Sequence, residues 1–171
     1  MKKYTDPKKQ ERGFTLLLAA LIASIVLSLG AAIFTIAQKQ LQLSSVGRNS
    51  QFAFYAADTA SECALYWDVR YQYFAASDPY GGTPTCDGQT IDASVASGTR
   101  SSGNFTMYFQ YEPNASSGAQ SGYCAEVFVT KTLNPDTNAI TSTIHADGYS
   151  TPCASVTSDP NTLQRSVELH Y

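Results

Sequence analysis

FTLLLAALIASIVLSLGAAIFTIA, residues 14–37, holds no charged residue and no proline. At 1.5 Å per residue, these roughly 24 residues make a helix of about 36 Å, long enough to cross a hydrocarbon core. Inside lipid every backbone amide needs a partner within the segment, so a helix is the state it adopts there. Gly30 is its weak point, whereas Ser24, Ser28 and Thr35 can turn their hydroxyls back onto the backbone. Upstream, Lys2, Lys3, Lys8, Lys9 and Arg12 outnumber Asp6 and Glu11. A basic tip ahead of an apolar segment stays on the cytoplasmic side of a membrane. The rest of the chain is mildly acidic, and the formal net charge of −3 gives no argument for nucleic-acid binding.

Downstream the chain turns polar at Gln38 but keeps a helical period. Phe52, Ala56, Ala60, Cys63 and Trp67 follow steps of three and four and form one apolar stripe, with Ser50, Asp58, Ser61 and Asp68 mostly off it. No proline intervenes before Pro79. One helix from near Thr15 to about Tyr73 would run some sixty residues, roughly 90 Å, which is abnormal for an element of a globular core.

An apolar segment of this kind has three fates: a cleaved secretory signal, a permanent anchor, or a processed subunit that keeps the helix. Gly30-Ala31-Ala32 offers a small-residue cleavage site for the first. The apolar run nevertheless continues through Ile33, Phe34 and Ile36 and passes unbroken into the amphipathic stretch. The junction Arg12-Gly13-Phe14-Thr15-Leu16 resembles the cleavage site of type IV prepilins. The resemblance implies that a membrane prepilin peptidase cuts on the cytoplasmic side after Gly13, and that the new terminal Phe14 is N-methylated. A glycine leaves an extended backbone unobstructed in a peptidase cleft. The stretch Phe52-Ala53-Phe54-Tyr55-Ala56-Ala57-Asp58 also resembles the A-F-x-A-A-E segment of PilX-type minor pilins. One departure stands out. Most major pilins carry a glutamate as the fifth mature residue, where it pairs with the amino terminus of a neighbouring subunit; here that residue is Leu18. The substitution favours a minor subunit over the repeating one.

The resemblance and the pattern together divide the chain into a leader at residues 1–13, a transmembrane or filament-core helix at 14–37, its amphipathic continuation at 38–74, and a head at 75–171. Residues 77–102, rich in Gly, Pro, Ser and Thr, read as loop. Four strand-like stretches follow, around residues 105–111, 123–132, 141–149 and 163–171, with Arg165 interrupting the last. Asn134-Pro135-Asp136-Thr137-Asn138 is turn chemistry and makes a hairpin of the second and third. The expected fold is α+β, a long N-terminal helix packed on a small antiparallel sheet.

The chain has 4 cysteines, Cys63, Cys86, Cys124 and Cys153, with no CxxC pair. Beyond an export signal they are expected to form two disulfides. Three pairings are open. Cys63 with Cys86 and Cys124 with Cys153 are favoured, the first tying the loop to the helix and the second joining the open ends of the hairpin.

Little in the sequence suggests catalysis. His145-Ala146-Asp147 has the outline of an acid–base fragment, but no nucleophile sits on a tight glycine-flanked turn. Strand residues facing solvent are the expected reading. There is no metal-ligand spacing and no phosphate-binding glycine loop, so no catalytic residue, metal or cofactor is expected. The expected role is a structural subunit of a type IV pilus or related filament, inserted in the cytoplasmic membrane with its head outside and later carried on the cell surface. Its partners would be the peptidase, other pilin subunits and the assembly platform. Two neighbouring readings are a pseudopilin of a secretion or DNA-uptake system and a membrane-anchored extracellular binding protein that forms no filament.

Overall fold

The computed structural model describes residues 12–77, 81–113 and 122–171. Contacts divide the chain into Met1–Ser45 and Val46–Tyr171. One helix, α1, spans the 60 residues Arg12–Tyr71. It ends where Gln72 takes a left-handed conformation (φ 55°). The Gln72 amide then donates to Asp68 O, and the Tyr73 amide to Trp67 O, closing two of the last free carbonyls.

The second unit is α+β. β1 (Thr85–Cys86) and β2 (Gln89–Thr90) form a two-stranded ribbon, and β3 (Ser94–Thr99), β4 (Asn104–Tyr111), β5 (Cys124–Leu133), β6 (Ile140–Tyr149) and β7 (Gln164–His170) form an antiparallel sheet in sequential order. Two findings correct the reading of residues 77–102 as loop: the ribbon, and β3 at the sheet edge. The ribbon turns at Asp87-Gly88, both at positive φ, as a two-residue hairpin requires. β3 is Ser-, Ala- and Gly-rich, exposed throughout, and bulged between Val95 and Ser97, so it lacks the hydrophobic alternation that marks a strand.

Alternation along β4–β7 sorts side chains onto two faces. Met107, Val129, Ile144 and Leu169 make one cross-strand row on the inner face; Phe109, Val127, Ala146 and Val167 make the next. With Phe74 and Ile91 they form the core. The helix meets this face through small residues. Ala53, Ala57, Ala60 and Ala64 are fully buried at steps of four, three and four. Gly148 in β6 lies under them, and a Cβ there would land inside the backbone at Ala53 and Ala57. Glycine at this position therefore lets two backbones touch.

The next step along the same stripe is Asp68, which is buried, as is Ser61. Their expected placement off the buried stripe is thus corrected. The reason for Asp68 lies on the sheet: the Lys131 ammonium, from an inner-face position of β5, meets its carboxylate. Phe52 is partly exposed and stacks on Tyr123, with ring centroids 4.7 Å apart. Arg165, the interruption in the last strand, donates from Nε to Ser50 Oγ at 2.7 Å, tying β7 to α1.

Candidate functional site

Among the described residues, three places are of chemical interest. At the N-terminal junction, Gly13 and Phe14 lie in the first turn of α1, while the rest of the predicted leader, residues 1–11, falls outside the described residues. Every residue from 14 to 48 is exposed, among them Phe14, Leu16, Leu17, Leu18 and Leu21. The Ser24 and Ser28 hydroxyls donate to the carbonyls of Leu21 and Ile25 at 2.8 Å, and Thr35 donates to Ala31 O at 2.9 Å. Their polar groups are thereby satisfied within the helix, as an apolar environment requires. The helix is long and apolar enough to cross a membrane. Leu18 falls about one turn beyond Phe14 and is exposed.

At the other end of α1, Asp68 and Lys131 form an ion pair whose side chains are only 5% and 8% exposed. Lys131 Nζ also donates to Ser142 Oγ at 2.7 Å, and the Tyr171 hydroxyl donates to Asp68 Oδ2. The Tyr171 ring lies 5.7 Å from Lys131 Nζ, within cation–π range. Burial, reinforced by the hydrogen bond to Asp68, raises the Tyr171 hydroxyl above its ordinary range, so it stays a donor. Tyr171 also pairs through its backbone with Ser142. A cavity of about 420 Å³ opens beside this cluster, with Val69 and Ile140 on its walls. The pairing links the end of α1 to β5, β6 and Tyr171.

The third place is the outer face of the sheet, which sequence reasoning noticed only as His145-Ala146-Asp147. Register sets His145 opposite Glu168 and Asp147 opposite Ser166. His145 Nδ1 lies 3.0 Å from Glu168 Oε2, and its Nε2 lies 3.3 Å from Asp147 Oδ1. His170 Nε2 lies 2.7 Å from the other oxygen of Glu168, and its Nδ1 lies 3.1 Å from Thr143 Oγ1. Ser166 Oγ donates to Asp147. The hydrogen bonds from His145 and then His170 lower the Glu168 carboxyl from its usual range. Further along, Glu126 accepts from the hydroxyls of Tyr108 and Tyr149, each at 3.1 Å. The signal that could have exposed this cluster is the pairing of His-x-Asp on β6 with Glu-x-His on β7, two same-face pairs on adjacent antiparallel strands. Among the described residues no group of three His, Cys, Asp or Glu side chains is placed to hold a metal ion.

The four cysteines form the disulfides Cys63–Cys86 and Cys124–Cys153. The first binds α1 to the ribbon, where Trp67 Nε1 also donates to Thr85 O at 2.9 Å. The second closes the segment after β6 onto the start of β5. No family model, no curated protein and no solved structure matches this chain.

Proposed function

We propose that this chain is a prepilin, cut after Gly13 by a prepilin peptidase and N-methylated at Phe14, that assembles through α1 as a minor structural subunit of a type IV pilus or pilus-like filament. The observation that carries the reading is the division within α1. Its first half presents Leu, Ile, Val and Phe on every side with no intramolecular cover, while its second half is faced with alanine and buried on its own sheet. A helix that is apolar all round needs an apolar surrounding. Lipid supplies that surrounding before assembly, and the helices of other subunits supply it afterwards. The role is structural rather than catalytic. Before assembly the chain sits as a single-pass protein of the cytoplasmic membrane with its head outside.

Leu18 favours the minor class, since it cannot neutralise the amino terminus of a neighbour. It does not separate a pilus subunit from a pseudopilin of a secretion or DNA-uptake system, and the phenotype of a deletion does. Mass spectrometry of the mature N-terminus tests the processing step. An N-methylated Phe14 is the expected terminus. An intact Met1 would instead mark an uncleaved anchored binding protein, and a start near Ile33 a secreted soluble one.

A further inference from the structure

At the cavity beside the end of α1, buried charge keeps unspent hydrogen-bonding capacity. The cavity holds about 420 Å³, within the span of small-molecule sites, about 300–1,000 Å³. Both donors to the Asp68 carboxylate, Lys131 Nζ and the Tyr171 hydroxyl, bond the same oxygen, Oδ2. Among the described residues no donor reaches Oδ1. Lys131 Nζ carries three hydrogens and has two acceptors, Asp68 Oδ2 and Ser142 Oγ, so one N–H is left over. Oδ1 is not sealed off either. Among the described residues the sealed side-chain polar atom without a partner is the Tyr111 hydroxyl, and Asp68 and Lys131 both line the cavity. A spare acceptor and a spare donor therefore stand side by side at its wall, on one carboxylate and the ammonium bonded to it.

The same wall carries Gln72. Its φ of 55° is left-handed, where glycine is the ordinary residue past a helix end. Glutamine in that conformation adds a primary amide, with two donor hydrogens and an acceptor. Val69 and Ile140, 65% and 50% exposed, supply an aliphatic wall.

These features select a chemical class. The charges of Asp68 and Lys131 cancel, so an ionic ligand would leave one buried charge unbalanced. An apolar ligand would cover the spare acceptor and donor without bonding them, at the full desolvation cost of each. A trans peptide amide points its N–H and C=O in opposite directions and does not reach two adjacent atoms at once. Neighbouring hydroxyls on a sugar ring present a donor and an acceptor side by side, and the C–H faces of the ring suit aliphatic walls. We propose that the cavity binds a neutral pyranose unit of a glycan, one hydroxyl donating to Asp68 Oδ1 and its neighbour accepting from Lys131 Nζ. The proposal does not depend on filament assembly.

Removing Asp68 or Lys131 would break the ion pair that holds the head together, so the test uses residues beside them. Saturation-transfer NMR is run on the full chain at pH 7 in polyoxyethylene detergent, which carries no sugar. The probes are the methyl pyranosides of glucose, galactose and mannose, and N-acetylglucosamine. At least one is expected to bind saturably, with a Kd on the order of 1 mM. Gln72→Gly should weaken that binding about threefold to tenfold without lowering the unfolding midpoint, because glycine suits the left-handed φ. Ile140→Trp, which fills the cavity from its exposed wall, should weaken it about tenfold or more, whereas E168Q, on the opposite face of the sheet, should leave it unchanged. The proposal is overturned if none of the four probes binds saturably, or if Gln72→Gly and Ile140→Trp both bind like wild type. Displacement of the sugar by an equal concentration of acetate or methylammonium would equally overturn it and mark an ion site.

Discussion

Over residues 14–46 of α1 every side chain is exposed, and the large ones are leucine, isoleucine, valine and phenylalanine. Over residues 53–68 of the same helix the inward stripe is alanine with Ser61, closed by one aspartate. Both stretches are apolar on average, yet they differ in side-chain size and in angular spread. Small residues on a single stripe let a helix backbone approach a sheet the chain itself provides. Large residues all round leave no side for solvent and cannot be covered by one sheet, and the proposed function has lipid or neighbouring helices cover them. The comparison separates the half of the helix that the chain covers by itself from the half that it leaves exposed.

The contrast can be broken most forcefully at Asp68 and Lys131, where the stripe changes from packing to charge. Lys131→Ala leaves a buried carboxylate without its ammonium and should destabilise the head by about 3–5 kcal/mol. Denaturant unfolding followed by tryptophan fluorescence, with Trp67 as the chain's single probe, measures this. In the first half a charge acts on insertion rather than folding. Ile25→Lys near the middle of the apolar run should cost about 3 kcal/mol for membrane insertion. It should shift the chain out of the alkaline-resistant membrane fraction while leaving the disulfide-bonded head intact.

Gly148→Ala sharpens the other side of the contrast. The added methyl meets the backbone of Ala53 and Ala57, which cannot rotate away, so a loss of about 2–3 kcal/mol is expected. The same Gly-to-Ala change at Gly30, where a Cβ meets nothing within 4 Å, should be neutral or stabilising by the same unfolding measurement.

The smallest effect is a pH effect on the outer face. His145 and His170 hold the folded Glu168 carboxyl below its unfolded range. Its contribution is therefore present above about pH 5 and is lost as pH falls through the lowered folded value. The stability difference between wild type and Glu168→Gln should shrink steadily below about pH 4. A difference that grows in that direction would show the sign to be wrong.

Much of this architecture was legible from residue order. The long helix, the four strands β4–β7 and the turn at residues 134–138 follow from period and from turn chemistry. There Asn134 Oδ1 accepts from the amides of Asp136 and Thr137. What escaped the sequence depends on partners distant in the chain. Asp68 looks like a solvated helix residue until Lys131, 63 positions away, is placed over it. β3 has no alternation because only one of its edges is paired and neither face is buried. The ribbon was legible, since Asp87-Gly88 is a two-residue hairpin signal, but its strands are two residues long and carry no period of their own. The outer-face cluster hides for the opposite reason. Its residues are ordinary for an exposed strand, and only the register of β6 against β7 brings both imidazoles to one carboxylate.

The central claim, that the first half of α1 is covered from outside the chain, is tested most directly by photo-crosslinking from a single reactive side chain in place of Leu21. In isolated membranes the account predicts adducts to lipid, and in sheared surface filaments adducts to the N-terminal helix of another pilin subunit. Adducts to the chain's own head in both preparations, or none in filaments that contain the protein, would contradict it.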